Sequence, residues 1–213
     1  MRPNRVTVGP LAAASANAIC LSQTPTAGAL TLNGARVSGG VATLDVARRV
    51  LITCTGNEST RSFTITGTSR SGVVQSETIT GPNATTAQSV LDYQTVTRIT
   101  ISGNAANALT VGTSGVASSA WVQFSSWADA QIAIQCTVSG TVNYTVQQTL
   151  DNTNNPSAPM EPSAVTWLNH PDPALVGATI SVQGNYGYSP VFARVTLNSG
   201  TGSVVATFLQ SGV

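Results

Sequence analysis

The sequence predicts an all-β protein: two β-sandwich or jelly-roll-like units preceded by an extended N-terminal arm. Three observations carry that prediction. First, apolar residues recur at every second position in many short runs. In Gln131–Leu150, for example, Ile132, Ile134, Cys136 and Val138 alternate with Ala133, Gln135, Thr137 and Ser139. A period of two puts one set on a buried face and the other outside, as in a half-buried strand. Second, turn residues punctuate these runs at the spacing of short strands in sandwiches and barrels. Third, no segment shows the i, i+3, i+4, i+7 recurrence of an amphipathic helix.

Taken in order, residues 1–42 are expected to form an arm and a short hairpin, residues 43–118 a first sandwich and residues 119–213 a second. Met1–Ala29 places Arg2 and Arg5 ahead of VTVGPLAAASANAICL, which at a glance looks like a secretory leader. Gly9 and Pro10 interrupt what would be its apolar core, so an extended arm docked on a neighbouring subunit is expected instead. Asn33-Gly34, between ALTL and ARV, is the strongest local turn signal and predicts a two-residue hairpin. Val41–Asp45 adds a short strand.

Arg48–Gly112 then carries RRVLITCT, SFTITGTS, VVQSETIT, TVTRITIS and ALTVG. Gly56-Asn57, Ser71-Gly72, Gly81-Pro82-Asn83 and Gly103-Asn104 mark their connections. Ala84–Tyr93 is the one stretch with room for a helical turn. Gly112–Ala120 is small and polar, like a linker. Strand alternation resumes at Trp121–Trp127 and runs into Gln131–Leu150. There Gly140 breaks the run before Val142, Tyr144 and Val146 take it up again, a pattern that predicts an antiparallel hairpin. Asp151–Pro162 is a loop. Val165–His170, Val176–Gln183, Val191–Asn198 and Val204–Leu209 supply the remaining strands, with Ser199–Gly202 as the last turn.

Composition narrows the function. Charged residues make up 8% of the 213, against about a quarter in an ordinary soluble domain. All nine basic residues are arginine and none is lysine. Lysine suits free solvated surfaces and is depleted from interfaces where arginine persists, so this bias fits a chain packed against others. A net charge of +1 offers nucleic acid or an acidic membrane no electrostatic attraction, so neither is expected as a partner. No apolar run approaches the roughly 20 residues that span a bilayer as a helix. Cys20, Cys54 and Cys136 are odd in number and far apart, and read as buried free thiols of a protein assembled in a reducing cytoplasm.

Catalytic constellations are sparse, and no enzyme is expected. His170 is the sole histidine, and its WLNHPDP context reads as a turn rather than as part of a nucleophilic triad. One histidine and three scattered cysteines offer no zinc ligands at short spacing. Asp92, Asp129, Asp151, Glu161 and Asp172 are the acids that strands could bring together for glycoside cleavage. The Asp151–Asn155 loop has alternating oxygens suited to calcium but few acids. GTSG at Gly112–Gly115 lacks the lysine and helix of a phosphate loop. No catalytic, cofactor-binding or metal site is therefore assigned. The expected interface residues are Arg2, Arg5, Trp121, Trp127, Trp167, Tyr186 and Tyr188, the aromatic ones also being candidates for a glycan or receptor platform.

With these residues laid out, the chain resembles accessory structural virion proteins of tailed bacteriophages. The likeness is carried by RRVLITCTGN, SFTITGTSRSG, SETITGPN, VTRITISG and TVGTSG. It continues through WVQFSSW, IAIQCTVSGTVNYTVQQTLD and ARVTLNSGTGSVVATFLQSG, spanning about Ala47–Val213. The resemblance implies a multicopy component of the virion, assembled in the host cytoplasm: a decoration or cement protein held by the major capsid protein or neighbouring virion subunits, and a homo-oligomer. The alternative is a tail or fibre component that binds a host surface receptor or glycan.

Overall fold

A computed structural model describes residues 3–125 and 131–211. The chain divides into two compact units, Ala12–Gly115 and, separately, Met1–Leu11 together with Val116–Val213. Every named strand pairing is antiparallel, and no α-helix occurs among the described residues.

Strand β1 (Asn4–Val8) belongs to the second unit. The first unit begins with β2 (Ser15–Gln23), β3 (Gly28–Ala29), β4 (Val37–Ser38), β5 (Val41–Arg48) and β6 (Val50–Cys54). It continues with β7 (Ser62–Thr68), β8 (Val74–Thr80), β9 (Thr86–Gln88), β10 (Tyr93–Ile101) and β11 (Leu109–Thr113). One sheet has the order β2-β11-β6-β9; the other runs β4-β5-β10-β7-β8, with β3 also on β10. The chain passes between the sheets from β5 to β6 and from β10 to β11. Since β5 pairs with β10 and β6 with β11, these two crossings are neighbours in both layers. β7 shows how the sequence drives this: Phe63, Ile65 and Gly67 are buried, while the threonines and serine between them are half-buried. Ile19, Ile52 and Val111 from one sheet meet Phe63, Ile65, Tyr93 and Ile99 from the other in a single core cluster. Burying each large side chain contributes about 1.5–3 kcal/mol.

The second unit adds β12 (Ala117–Ser118), β13 (Val122–Gln123), β14 (Ile132–Ser139), β15 (Val142–Thr149), β16 (Leu168–Asn169), β17 (Val182–Tyr186), β18 (Phe192–Gly200) and β19 (Ser203–Gln210). Its sheets are β1-β19-β14-β17 and β12-β18-β15-β16, with β13 on β18.

Several expectations need correction. Gln131–Leu150 is not a hairpin: β14 and β15 lie in opposite sheets, with β14 flanked by β19 and β17 and β15 by β18 and β16. The last strand pair, β18 and β19, divides between sheets in the same way. Period-two alternation specifies a buried face but not a partner, and a break at Gly140 serves a sheet-to-sheet arch as well as a hairpin. The two arches nest tightly. Gly202 N donates to Thr141 O at 2.9 Å. A Cβ on Gly202 would lie 2.3 Å from Ser139 O, and one on Gly200, whose φ is +104°, would lie 2.3 Å from Thr141 O. Only glycine fits such an approach.

The described part of the expected arm, residues 3–42, does not stand apart either. β1 pairs along β19 of its own chain, Asn4 opposite Phe208 through Val8 opposite Val204, and β2 to β4 are built into the first unit. Asn33-Gly34 is not the predicted turn. The β4–β5 hairpin turns at Gly39-Gly40, both at positive φ, while Asn33 and Gly34 donate their backbone N–H groups to Ile19 O. Asn33 Oδ1 also accepts from Leu21 N at 2.8 Å, so this segment covers the open edge of β2. Ala84–Tyr93 contains strand β9 instead of a helical turn.

Candidate functional site

Three places concentrate the polar and aromatic side chains. The first is the crossing from β5 to β6. Arg48 is fully buried at the end of β5. Its Nη1 donates to Ala12 O at 2.9 Å and sits 3.1 Å from both oxygens of Asp45. Its Nε and Nη2 both donate to Ser114 O. Asp45 in turn accepts from Ala12 N at 2.8 Å. Burial alone would raise the Asp45 pKa, but the Ala12 N–H and the Arg48 guanidinium outweigh it and hold the carboxyl below its ordinary value. One guanidinium thus clasps the residues where the chain enters and leaves the first unit. Two buried carboxylates nearby in function do similar work. Glu58 accepts from Ala106 N and Asn107 N at 2.8 and 2.7 Å, and Glu77 accepts from Val90 N and Leu91 N at 2.8 and 3.0 Å.

The second place is the outer face of the β18-β15 sheet. Arg194 and Thr196 of β18 lie opposite Gln147 and Thr145 of β15. Gln147 Oε1 accepts from Arg194 Nε and Thr196 Oγ1, each at 3.0 Å. Asn198 Nδ2 donates to Asn143 Oδ1 at 2.8 Å and to Thr145 Oγ1 at 2.9 Å. Over this ladder Trp121 and Trp167 meet edge to face at 5.0 Å, and the Arg194 guanidinium lies 4.1 Å from the Trp167 ring. Asn143, Thr145 and Gln147, which alternate with Val142, Tyr144 and Val146, form this outer face, and it is largely covered.

The third place is the space between the sheets near the end of β17. Tyr186 is buried and contacts the His170 ring at 4.5 Å, Tyr188 at 5.8 Å and Phe124 at 6.4 Å. His170 is 3% exposed; its backbone N donates to Val146 O, and its Nδ1 accepts from Asp172 N at 3.0 Å. Burial lowers the His170 pKa, against a raising influence from Asp172. Beside Tyr186 a shallow groove of about 580 Å³ is bordered by Gln131, Ile132, Asn185, Gly187 and Leu209.

Of the expected interface residues, Trp121 joins Trp167 and Tyr186 joins Tyr188 as touching pairs. Arg5 is exposed on β1. Arg2 and Trp127 lie outside the described residues. A sugar platform needs a free ring face, yet Trp121 packs on Trp167 and Phe192, and Tyr186 is 1% exposed; Tyr188 alone of these four is open. Asp151 and Asp172 accept from Thr166 N and Ala174 N, so both hold their own loops. The oxygens of Asn152 and Asn155 are likewise taken by backbone N–H groups two residues on. Asp129 lies outside the described residues. Among the described residues no three His, Cys, Asp or Glu side chains cluster as metal ligands would. All three cysteines are free and buried. Sequence reasoning missed Arg48 and the burial of His170. The first depends on contacts far along the chain, and the second sits in residues that otherwise spell a surface turn.

No protein-family model matches this chain, and no curated protein or solved structure does so either.

Proposed function

We propose that this protein is a structural component of a virus particle, a capsid decoration or cement protein that works by being held between neighbouring subunits. The observation that carries the reading is a set of apolar side chains left in solvent on a chain poor in charge. Val73 and Val74 on the first unit and Leu150, Leu168 and Ile180 on the second are each 60% exposed or more. Surfaces of this kind are closed by association. The buried charged groups point the same way, since Arg48, Glu58 and Glu77 all hold backbone in place. The reading extends to multivalency: many copies on a symmetric shell turn modest contacts into lasting ones.

The test is to assemble particles with and without this chain and heat both. Particles carrying it should retain their genome to higher temperature, and image reconstruction should place it at subunit junctions in many copies. Equal heat resistance, with no added density, would remove the proposal. A second reading, a tail or fibre component that binds a host receptor or glycan, draws support from Tyr188, which is exposed and in ring contact with Tyr186 of the groove. Tyr188→Ala should then reduce adsorption to cells and leave particle stability unchanged.

A further inference from the structure

A strand at the end of a sheet offers a row of backbone N–H and C=O groups to any other strand, and the sheet ends of this protein are guarded unequally. β2 is covered by Asn33-Gly34. β4, β9, β12, β13 and β16 are two or three residues long. β1 carries Arg5, and β17 has Gly184 at its centre. β8 is the exception among the described strands. It ends the order β4-β5-β10-β7-β8, and it pairs with β7 from Val74 opposite Thr68 to Thr80 opposite Ser62 without a register shift. It has no lysine, proline or bulge. Its one charge, Glu77, is already buried and bonded to the Val90 and Leu91 N–H groups, so a strand added outside β8 would strip no further water from it.

The phase of the ladder tells which backbone groups are open. Ser69 N donates to Val73 O and Gly81 N to Arg61 O, both at 2.8 Å, so the odd-numbered residues of β8 turn their backbone groups to β7. The N–H and C=O groups of Val74, Ser76, Thr78 and Thr80 therefore point to the open side. Apolar side chains gather at the same edge. Among the described residues the exposed large apolar side chains of the first unit are Leu21, Val73, Val74 and Val90. All but Leu21 lie at β8, Val90 through the bond from its N–H to Glu77.

The occupant that fits this edge is the same strand of a second copy. Antiparallel pairing sets even residues opposite even ones, and the registers with the longest overlap put a two-fold axis at Ser76, Glu77 or Thr78. An axis at Glu77 brings two buried carboxylates face to face. One at Thr78 sets Val74 opposite Pro82, which has no N–H to give. An axis at Ser76 avoids both: Val73 faces Ile79 of the second copy, Val74 faces Thr78, and the Gln75 amide faces the Glu77 carboxylate. We infer that two copies of this chain pair through β8 about an axis at Ser76, joining their sheets into one. Val74, Ser76 and Thr78 exchange backbone hydrogen bonds across the axis, and Val73 leaves solvent. The pairing goes beyond the proposed virion role and does not rest on it.

Sedimentation velocity of the purified full chain between about 1 and 200 μM tests this, a range suited to a small interface. The dimer fraction should rise across it. A chain that stays monomeric throughout overturns the inference and leaves the edge to a strand of another protein. Ser76→Pro removes an outward N–H that the β7 ladder does not use, where an edge strand tolerates proline, and should weaken the dimer about tenfold or more. Val74→Lys, at a position 74% exposed, should weaken it too, and decides if the proline variant does not fold. A dimer that Val74→Lys leaves unchanged uses another surface, which overturns the inference. Cross-linking reads the register. All three native cysteines are buried, so Ser76→Cys adds an exposed thiol whose Cα lies about 5.5 Å from its mate across the axis, within reach of a disulfide. Mild oxidation should link Ser76→Cys into a covalent dimer and leave Thr80→Cys unlinked. No link through Ser76→Cys, or one through Thr80→Cys instead, overturns the inference. No particle enters these experiments, so their failure would leave the virion role standing.

Discussion

In the first unit the crossing from β5 to β6 is held by a charged side chain, whereas in the second unit the arches at Gly140 and Gly200–Gly202 close by omitting side chains. Arg48 gathers Ala12 O, Ser114 O and Asp45 into one cluster. The glycines instead let backbone meet backbone. The same contrast extends inward. Loops of the first unit are pinned by the buried carboxylates of Glu58 and Glu77, while the loop carboxylates of the second unit, Asp151 and Asp172, lie nearer the surface and its sheets are tied by amides and hydroxyls such as Gln147, Asn198 and Gln210. Gln210, for example, exchanges bonds with the backbone of Ser125 at 2.9 and 2.8 Å. A chain with few charges has thus placed several of them inside one unit, where a pin is strong because water does not compete with it. The steric solution needs no charge but tolerates no added atom.

The sharpest way to break this contrast is Arg48→Met. Removing one partner of a buried ion pair typically costs 3–5 kcal/mol, so a loss of about 4 kcal/mol is expected. Calorimetry should show it in the transition of the first unit alone; an equal shift of both transitions would mean that the units do not melt separately. Gly202→Ala is the matching change in the second unit. The added Cβ meets the Ser139 and Gly140 backbone, and a loss of about 2–3 kcal/mol is expected there by urea unfolding. Glu58→Gln keeps the shape but weakens the bonds from Ala106 and Asn107. A cost of about 1–2 kcal/mol, confined to the first unit, should follow, with faster amide hydrogen exchange at these two residues.

Mild acid should separate the units without mutation. Burial depresses the His170 pKa below its ordinary 6.5, so below that pH the unfolded chain takes up a proton that the native second unit resists. Stability of the second unit is therefore full above pH 6.5, falls as pH drops below it and levels off beneath the native pKa. The first unit behaves differently. Burial raises the Glu77 pKa, against the Val90 and Leu91 N–H groups, so its contribution is greatest below its ordinary 4.5 and declines as pH rises. Asp45, depressed, withdraws support only as pH falls below 3.8. Melting curves between pH 7 and 5 should show the second transition moving down alone. The smallest expected effect is on thiol labelling. Burial pushes Cys20 up to about 12 and Cys136 up to about 11, so neither should react in the native protein at pH 8. Labelling of Cys20 in urea then reports opening of the first unit, and Cys136 that of the second.

The all-β class was legible because SFTITGT and SVVATFLQ alternate cleanly and bury one face each. Partner choice was not. Alternation around Gly140 is the same whether the strands pair or face each other across a core. Asn33-Gly34 has the best turn chemistry in the chain, yet Gly39-Gly40 makes the hairpin, because Gly34 is needed where its missing Cβ would fall 2.3 Å from the Ala18 backbone. The Trp and Tyr pairs could be named from composition but not matched to one another. Arg48 was invisible because its main acceptor, Ser114, lies 66 residues away, beyond any local pattern. His170 was misleading because its surroundings, Pro171 and Asp172, do form a turn, one that folds the imidazole inward.

The pairing of β1 with β19 sets the order of events during synthesis. β1 leaves the ribosome early, but its register partner is made only after the whole of the first unit and the rest of the second. The first unit can collapse around its own core while β1 waits, whereas the second unit stays one strand short until β19 emerges. Nascent chains halted before Ser203 should accordingly protect the first unit from protease while β1 remains cleavable.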